Sequence, residues 1–388
     1  MAELVRYSPN PVYLPAEGEL SRTFYHVRSH LDDRPLLDES DYENFETHVI
    51  FNDLFIHSDG CSIRGIGPPL VNLSTHLLPM KLDVRSDDGE YADGITARIS
   101  NHDRVSFFEF CLPKSLQQKK SLQVTLRCSN GFIHQAVAER QSVSSVELQF
   151  VTLQKNNPVE WVLDWCSYVE HLGADRVVIY DNGSDNIEAL ASELALHQSS
   201  MTIIVVDWPF AYGPIRSYYN QFCQATQNNH VYQCFASATW VGHFDIDEYL
   251  LPANDDCVEK NVLKQFVNRT FSRIGLLRFD SYWVPSIGVK DDSELPTVRD
   301  FSFRMRRTRR RAHKYLMRSA AHRMSNTHNG KVKLGFWRQS VSSDSWVFLH
   351  YKPLTTNWRF YTVRGATEEF DQELHVEESR IVKYFQSR

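Results

Sequence analysis

Val177-Val178-Ile179-Tyr180-Asp181-Asn182-Gly183-Ser184-Asp185 runs four apolar residues into an acidic turn. An unbroken apolar run of this length, without alternation, is the pattern of a strand covered on both faces. The pattern repeats around it. Val146–Leu153 precedes it, and Met201–Val206 and Val241–Phe244 follow. Between these runs lie helical spacings. Trp161, Trp165, Tyr168, Val169 and Leu172 share one face of a helix opened by Asn157-Pro158 and closed by Gly173, with Glu160 in the capping-box position. Asp185 with Glu188 marks a second helix to about His197, and Gly213-Pro214 a third to about Gln227. Strands alternating with helices predict an α/β fold, Rossmann-like, with a mostly parallel sheet and helices on both faces.

Before residue 146 the rhythm is different. Leu122, Val124, Leu126 and Cys128 alternate with Gln123, Thr125 and Arg127, which is the period of a half-buried strand. Asn130-Gly131 then predicts a hairpin. His48–His57, Leu82–Arg85, Ile95–Ile99 and Val105–Leu112 read the same way, with turns at Asp87-Asp88-Gly89 and Asn101-His102-Asp103. Residues 1–145 are expected to form an antiparallel β-rich domain, a sandwich serving an accessory or binding role, and 146–388 a catalytic α/β domain. The length of 388 residues agrees with two domains at roughly 150 residues each.

Composition narrows the function classes. Hydrophobic residues are 42% and charged residues 23%, which excludes a disordered or collagen-like chain. The net charge of −6 argues against general polyanion binding. No window approaches the ~20 apolar residues of a membrane span. Met1–Leu20 carries Glu3, Arg6, Glu17, Glu19 and three prolines and no apolar leader core, so the expectation is a cytoplasmic protein, with membrane association left open and the secretory lumen ranked lower. Seven cysteines without a Cys-x-x-Cys pair read as buried free thiols.

Ligands of open α/β sheets collect at the carboxyl ends of the strands. Two acidic segments stand there, Asp181–Asp185 and Asp245-Ile246-Asp247-Glu248. In extended chain, residues i and i+2 point to the same side, so Asp245 and Asp247 can reach one cation. Mg²⁺ or Mn²⁺ takes one or two protein carboxylates together with diphosphate oxygens. The competing reading is an ordinary acidic turn.

These blocks resemble a known family. Glu160-Trp161 through His171-Leu172-Gly173, Val178–Asp185, Ser217-Tyr218-Tyr219-Asn220-Gln221-Phe222-Cys223, Trp240–Pro252, Lys314-Tyr315-Leu316-Met317-Arg318, His328 and His350-Tyr351 stand in the order seen in GT-A-fold glycosyltransferases. The likeness is to glycosyltransferase family 92 and related family-2-like enzymes, over roughly residues 148–352. It implies a GT-A fold for 146–388 and metal-dependent transfer of a hexose-type sugar from a nucleotide-sugar donor, a UDP-sugar, to a glycan or other hydroxyl acceptor. Galactosyl transfer is within that class, and inversion is favoured over retention. Asp245 and Asp247 would hold Mn²⁺ or Mg²⁺ against the donor diphosphate, and His350 would complete the metal shell. Asp181 would receive the nucleoside, although a turn-capping aspartate looks the same.

Three further expectations concern charge. Arg216, at the start of the third helix, would contact diphosphate. Arg304, Arg306, Arg307 and Arg309–Arg311 form a basic run. Beyond it Lys314 and Arg318, at i and i+4 helical spacing, would grip the same anion, unless the run is a solvated face. The run lacks interleaved aromatics, so nucleic acid is not expected as a partner. Glu248 reads as a surface or supporting group. An inverting transfer needs a carboxylate base near the acceptor hydroxyl, and Asp280, after Ile274–Phe279, is the leading candidate, with Glu294 next. Two other classes compete. An Asp-x-Asp phosphatase lacks its expected Thr or Val, since Glu248-Tyr249 follows. A non-catalytic carbohydrate or polyanion binder on a degenerate transferase fold would use the β-rich domain and the arginine run.

Overall fold

The computed structural model describes residues 3–31, 34–214, 216–235, 237–253, 258–287, 296–354 and 369–387, with no side-chain description at 23, 24 and 309–312. Cys257, Glu294 and the side chains of Arg309–Arg311 therefore lie outside the described residues.

The chain divides into two compact units that interleave in sequence: Met1–Arg6, Ser145–Val206 and Ala238–Arg388 form one, and Tyr7–Ser144 with Asp207–Ser237 form the other. The first unit is built on a ten-stranded sheet. In spatial order it runs Glu3–Tyr7, Thr202–Asp207, Arg176–Asp181, Val146–Gln154, Ala238–His243, Arg309–Arg318, Ile274–Trp283, Trp346–His350 and Glu248–Pro252, with Trp337–Ser340 also paired to the Ile274 strand. The Val146 strand is parallel to both its neighbours. The Ala238 and Arg309 strands are antiparallel, as are Arg309 with Ile274, and Glu248 with Trp346. The Ile274 strand is in turn parallel to Trp346–His350 and to Trp337–Ser340, so the sheet is mixed. Helical crossovers, which parallel neighbours require, are supplied by Val159–His171 and Ile187–Leu196 early in the unit.

Helix Val159–His171 buries Trp161, Trp165, Tyr168 and Val169, the face expected from their spacing. Its start differs from expectation, whereas its C-terminal end closes at Gly173 as expected. Pro158 occupies the N-cap and no side chain caps the helix. At the other end Gly173 has φ +106, Ala174 N–H donates to Val169 O at 3.0 Å, and Gly173 N–H to Glu170 O at 2.9 Å, a Schellman closure. The helix also fixes the strand that carries the acidic turn: Trp165 Nε1–H donates to Glu248 O at 3.3 Å, and Tyr168 O–H to Leu250 O at 2.8 Å. The third helix begins later than expected. A 3-10 turn at Tyr218–Asn220 precedes helix Phe222–Cys234. Gly213, at φ +111, lies so near Gln221 that a Cβ would come within 2.5 Å of its Cα, so the chain folds back there instead of starting a helix.

The second unit contains two four-stranded antiparallel sheets. One orders Ile133–Glu139, Ser121–Arg127, Lys81–Arg85 and Tyr91–Thr96. The other orders Asp53–Ile56, Ser62–Gly67, Ser106–Cys111 and Arg98–Asn101. Leu54, Ile63 and Phe108 from one sheet and Leu82, Val84, Leu122 and Leu126 from the other belong to one apolar core. The expected strand Ile95–Ile99 breaks at Ala97, whose N–H goes to Met80 O, and the chain passes there from one sheet to the other. His48–His57 likewise divides at Asn52 into Val49–Phe51 and Asp53–Ile56. The Asn130-Gly131 hairpin forms, closed by Cys128 N–H to Phe132 O at 2.9 Å around a three-residue loop with Gly131 at φ +86.

Cys128, Cys166, Cys223 and Cys234 are buried free thiols as expected, whereas Cys61, just before the Ser62 strand, and Cys111, the last residue of the Ser106 strand, are free but exposed. Among the described residues, no helix is long and apolar enough to cross a membrane.

Because Trp165 both fills the core and holds the backbone of Glu248, Trp165→Ala should cost about 3–5 kcal/mol, read as a lower urea midpoint. An unchanged midpoint would remove this anchor.

Candidate functional site

The sheet gathers the acidic turn and two distant side chains at one edge. His243 ends the Ala238 strand and pairs in register with Tyr315, on whose ring it stacks at 4.7 Å. The neighbouring Lys314 is thereby carried to the turn that follows His243. Its ammonium donates to Asp245 Oδ2 at 2.7 Å and lies 3.0 Å from Glu248 Oε2. Glu248 is the register partner of His350, and His350 of Trp283, so three strands form one row. His350 Nε2 stands 3.2 Å from Asp247 Oδ2, and its Nδ1 stands 3.7 Å from Glu248 Oε1. Two backbone bonds fix the turn: Asp245 N–H donates to Glu248 Oε2 at 2.9 Å, and Tyr351 N–H to Asp247 O at 2.8 Å.

Exposure divides the cluster. The side chains of Lys314 and Glu248 are 3% and 1% exposed, whereas Asp245 keeps 38% and Asp247 15%. The ion pair is therefore an internal support, and the two aspartates are its accessible front. Burial tends to lower the Lys314 ammonium, but Asp245 and Glu248 outweigh it and hold it above the ordinary lysine value. Burial, then the Asp245 and Asp247 carboxylates, push the Glu248 carboxyl up to about 7 against the pull of Lys314 and His350. Burial also raises Asp247, yet His350, Lys352 and Lys314 together hold it below the usual carboxylate range.

The donor set fits a divalent cation. Ligand atoms of Asp247, Glu248 and His350 all lie within 4.8 Å of one another. Ligands around one ion with bonds of about 2.1 Å are at most about 4.2 Å apart, so a small closure suffices. His350 Nδ1 is buried without a hydrogen-bond partner. Asp245 and Glu248 share one ammonium with Asp247 close by, and the carboxylate repulsion that adds to burial in raising Glu248 is what a bound cation relieves.

Apart from His328, the remaining sequence candidates fall elsewhere. Asp181 ends its strand as expected, at the same edge, two strands from the Ala238 strand and so about 10 Å away. Its carboxylate is buried and organises the turn, accepting from Gln154 Nε2 and, at 2.9 Å, from Ser184 N–H. Gln154 was not singled out by sequence, since only register places it opposite Asp181. Arg216 belongs to the other unit, precedes the helix rather than opening it, and pairs with Asp38 at 3.1 Å. Lys314 and Arg318 lie on a strand, where four residues span about 13 Å, so they cannot share one anion. Arg318 instead donates to Ile274 O at 3.0 Å and covers the Trp240 ring. Arg304 pairs with Glu378 and stacks on Tyr282.

Asp280 is inside its strand, because the extended run continues through Trp283. Phe279 faces Lys314 across the pair, so Asp280 projects from the opposite face, where His313 Nδ1 meets it at 3.0 Å. It is not brought to the cluster. His328, by contrast, lies beside the cluster: its Nδ1 contacts His313 O at 3.0 Å, and burial followed by the Lys314 ammonium holds its imidazole down, to about 4. Glu248, read from sequence as a surface or supporting group, is among the least exposed side chains of the site.

Lys314→Met should leave Glu248 buried without its cation and cost about 3–5 kcal/mol, with Lys314→Met/Glu248→Gln recovering much of it. The sign in pH follows from the raised Glu248 carboxyl. Removing Lys314 raises that carboxyl further, so the penalty is present above about 7 and fades below it, where Glu248 is protonated in the folded state of both chains. Urea melts at several pH values measure this, and a pH-independent loss would contradict it.

Comparisons with known proteins agree with this part of the chain. The family model for glycosyltransferase family 92 matches residues 152–386. A glycosyltransferase family 92 protein of Arabidopsis thaliana is 26% identical over 210 residues, covering 50% of this chain and 33% of that relative. The chain thus spans a minor part of the relative's length. Among solved structures, S. aureus TarS 1–349 matches with 14% identity and TM-score 0.28, covering 45% of this chain and 48% of that one. HddC from Yersinia pseudotuberculosis matches with 11% identity and TM-score 0.24, covering 61% and 96%. Structural likenesses this shallow say nothing about the chemistry of the site.

Proposed function

Since this chain belongs to glycosyltransferase family 92, we propose that its larger unit transfers a hexose-type sugar from a UDP-sugar to a glycan or other hydroxyl acceptor, on a GT-A-like sheet edge, with Asp245 and Asp247 as its Asp-x-Asp motif. The observation that carries the reading is the grouping of Asp247, Glu248 and His350 directly after a parallel strand. Asp247 and His350 would hold Mn²⁺ or Mg²⁺, with Asp245 offering its exposed carboxylate to the same ion or its waters. When bound, such an ion neutralises charge developing on the departing nucleoside diphosphate.

The chain's own residues do the positioning. Lys314 ties Asp245 to Glu248, so the turn keeps its shape while one side stays open to a ligand. Glu248 orients His350 from beneath and fixes the Asp245 backbone. Asp181, held by Gln154 and the Ser184 N–H, sets the turn at the strand end two strands away, where a nucleoside would lie beyond the diphosphate. Inversion stays the favoured outcome of the family likeness, and its base is to be sought on the face that bears Lys314 rather than at Asp280.

Asp247→Ala should reduce Mn²⁺-dependent turnover of a UDP-sugar by at least about 100-fold, the upper end of what losing a supporting group costs. Calorimetry should also show loss of metal-dependent UDP binding. Wild-type turnover in this variant would reject the ligand assignment. Binding to polyanions alone, vanishing with salt, would favour a non-catalytic module.

A further inference from the structure

The smaller unit holds a second cluster of ligand-type side chains, unrelated to the site above. Asp53, the first residue of strand Asp53–Ile56, is fully buried. His230 and Cys234 lie i and i+4 on helix Phe222–Cys234, hence on one face, and are buried too. Ligand atoms of the three lie within 4.8 Å of one another. The surroundings are dry and aromatic. Phe55, Trp208 and Phe235 pack around the imidazole at 5.3, 5.0 and 5.7 Å.

The geometry points to a structural zinc site formed by Asp53, His230 and Cys234, with the Tyr7 hydroxyl beside it as a fourth, neutral donor. Three arguments support this. First, the donor types fit: a thiolate with an imidazole and a carboxylate selects Zn²⁺ over Mg²⁺ or Mn²⁺, and structural zinc sites are closed by four donors. Second, charge closes. One carboxylate, one thiolate and a neutral imidazole cancel a divalent ion, which a dry core requires. Third, the supporting shell is present. Asp53 Oδ1 accepts from Asn10 N–H at 2.8 Å, which aims Oδ2 at His230 Nε2, 2.7 Å away. Tyr7 O–H donates to the same Oδ2 at 2.6 Å and is also a partner of the Cys234 thiol.

Zinc capture is a simple exchange. The S–H bond of Cys234 is replaced by S–Zn, the proton leaves to solvent, and nothing is oxidised. The ion would tie the 222–234 helix to strand Asp53–Ile56, two elements of one unit that are far apart in sequence. Because no ligand is accessible from solvent, the metal would enter as the unit folds and resist later chelation.

The test is the metal content of the full chain, produced with zinc in the medium and washed with EDTA. About one zinc per chain should survive. Asp247→Ala should keep it, which separates this site from the donor site. Cys234→Ser and His230→Gln should lose it. Because these buried variants risk failing to fold, the wild-type chain is also refolded with Co²⁺ alone, and a thiolate-to-cobalt charge-transfer band is expected. Zinc retained in Cys234→Ser, or a folded wild-type chain with neither zinc nor the cobalt band, would overturn the proposal and leave a hydrogen-bonded cluster.

Discussion

The buried ammonium of Lys314 is the interaction on which the site depends. It arrives from a strand some seventy positions downstream of the acidic turn and meets Asp245 and Glu248 at once. Without it, two carboxylates would face each other beneath a third, in a place too dry to screen them. With it, Glu248 can stay inside, His350 is propped from below, and Asp245 and Asp247 keep open faces toward solvent. The same pairing fixes which strand lies next to the Ala238 strand, so local charge and sheet order are one constraint.

The rest of the larger unit serves that edge. Helix Val159–His171 packs its aromatic face into the core and hydrogen-bonds the backbone at Glu248 and Leu250. The Val146 strand sits between two parallel partners and aligns Asp181 and the acidic turn at one edge. Packing and chemistry are joined here at residue level: loosening Trp165 would move the backbone from which Glu248 supports the turn.

Sequence periodicity revealed the early strands, the Trp161–Leu172 helix face and the acidic strand ends, because all three are set by local spacing. What it missed is long-range. Glu248 looked superficial because its burial comes from pairing with the Trp346 strand, and Lys314 looked like a partner of Arg318 because i and i+4 serve a helix and fail on a strand. Asp280 looked terminal because the apolar run pauses there, yet Tyr282 and Trp283 extend the strand and the pleat turns Asp280 to the far face. Arg216 was drawn to a helix start that Gly213 prevents. In the smaller unit, the spacing of His230 and Cys234 was in plain view, but Asp53 joins them only through tertiary contact.

The central claim is that Asp247 and His350 together hold a divalent cation over the Lys314–Glu248 pair. Crystals soaked with Mn²⁺ and UDP, measured for anomalous scattering at the manganese edge, test it most directly. The account predicts a peak within bonding distance, about 2.0–2.6 Å, of both an Asp247 oxygen and a His350 ring nitrogen, with diphosphate on its open side. A peak elsewhere, or bound UDP with no metal at these residues, would contradict it.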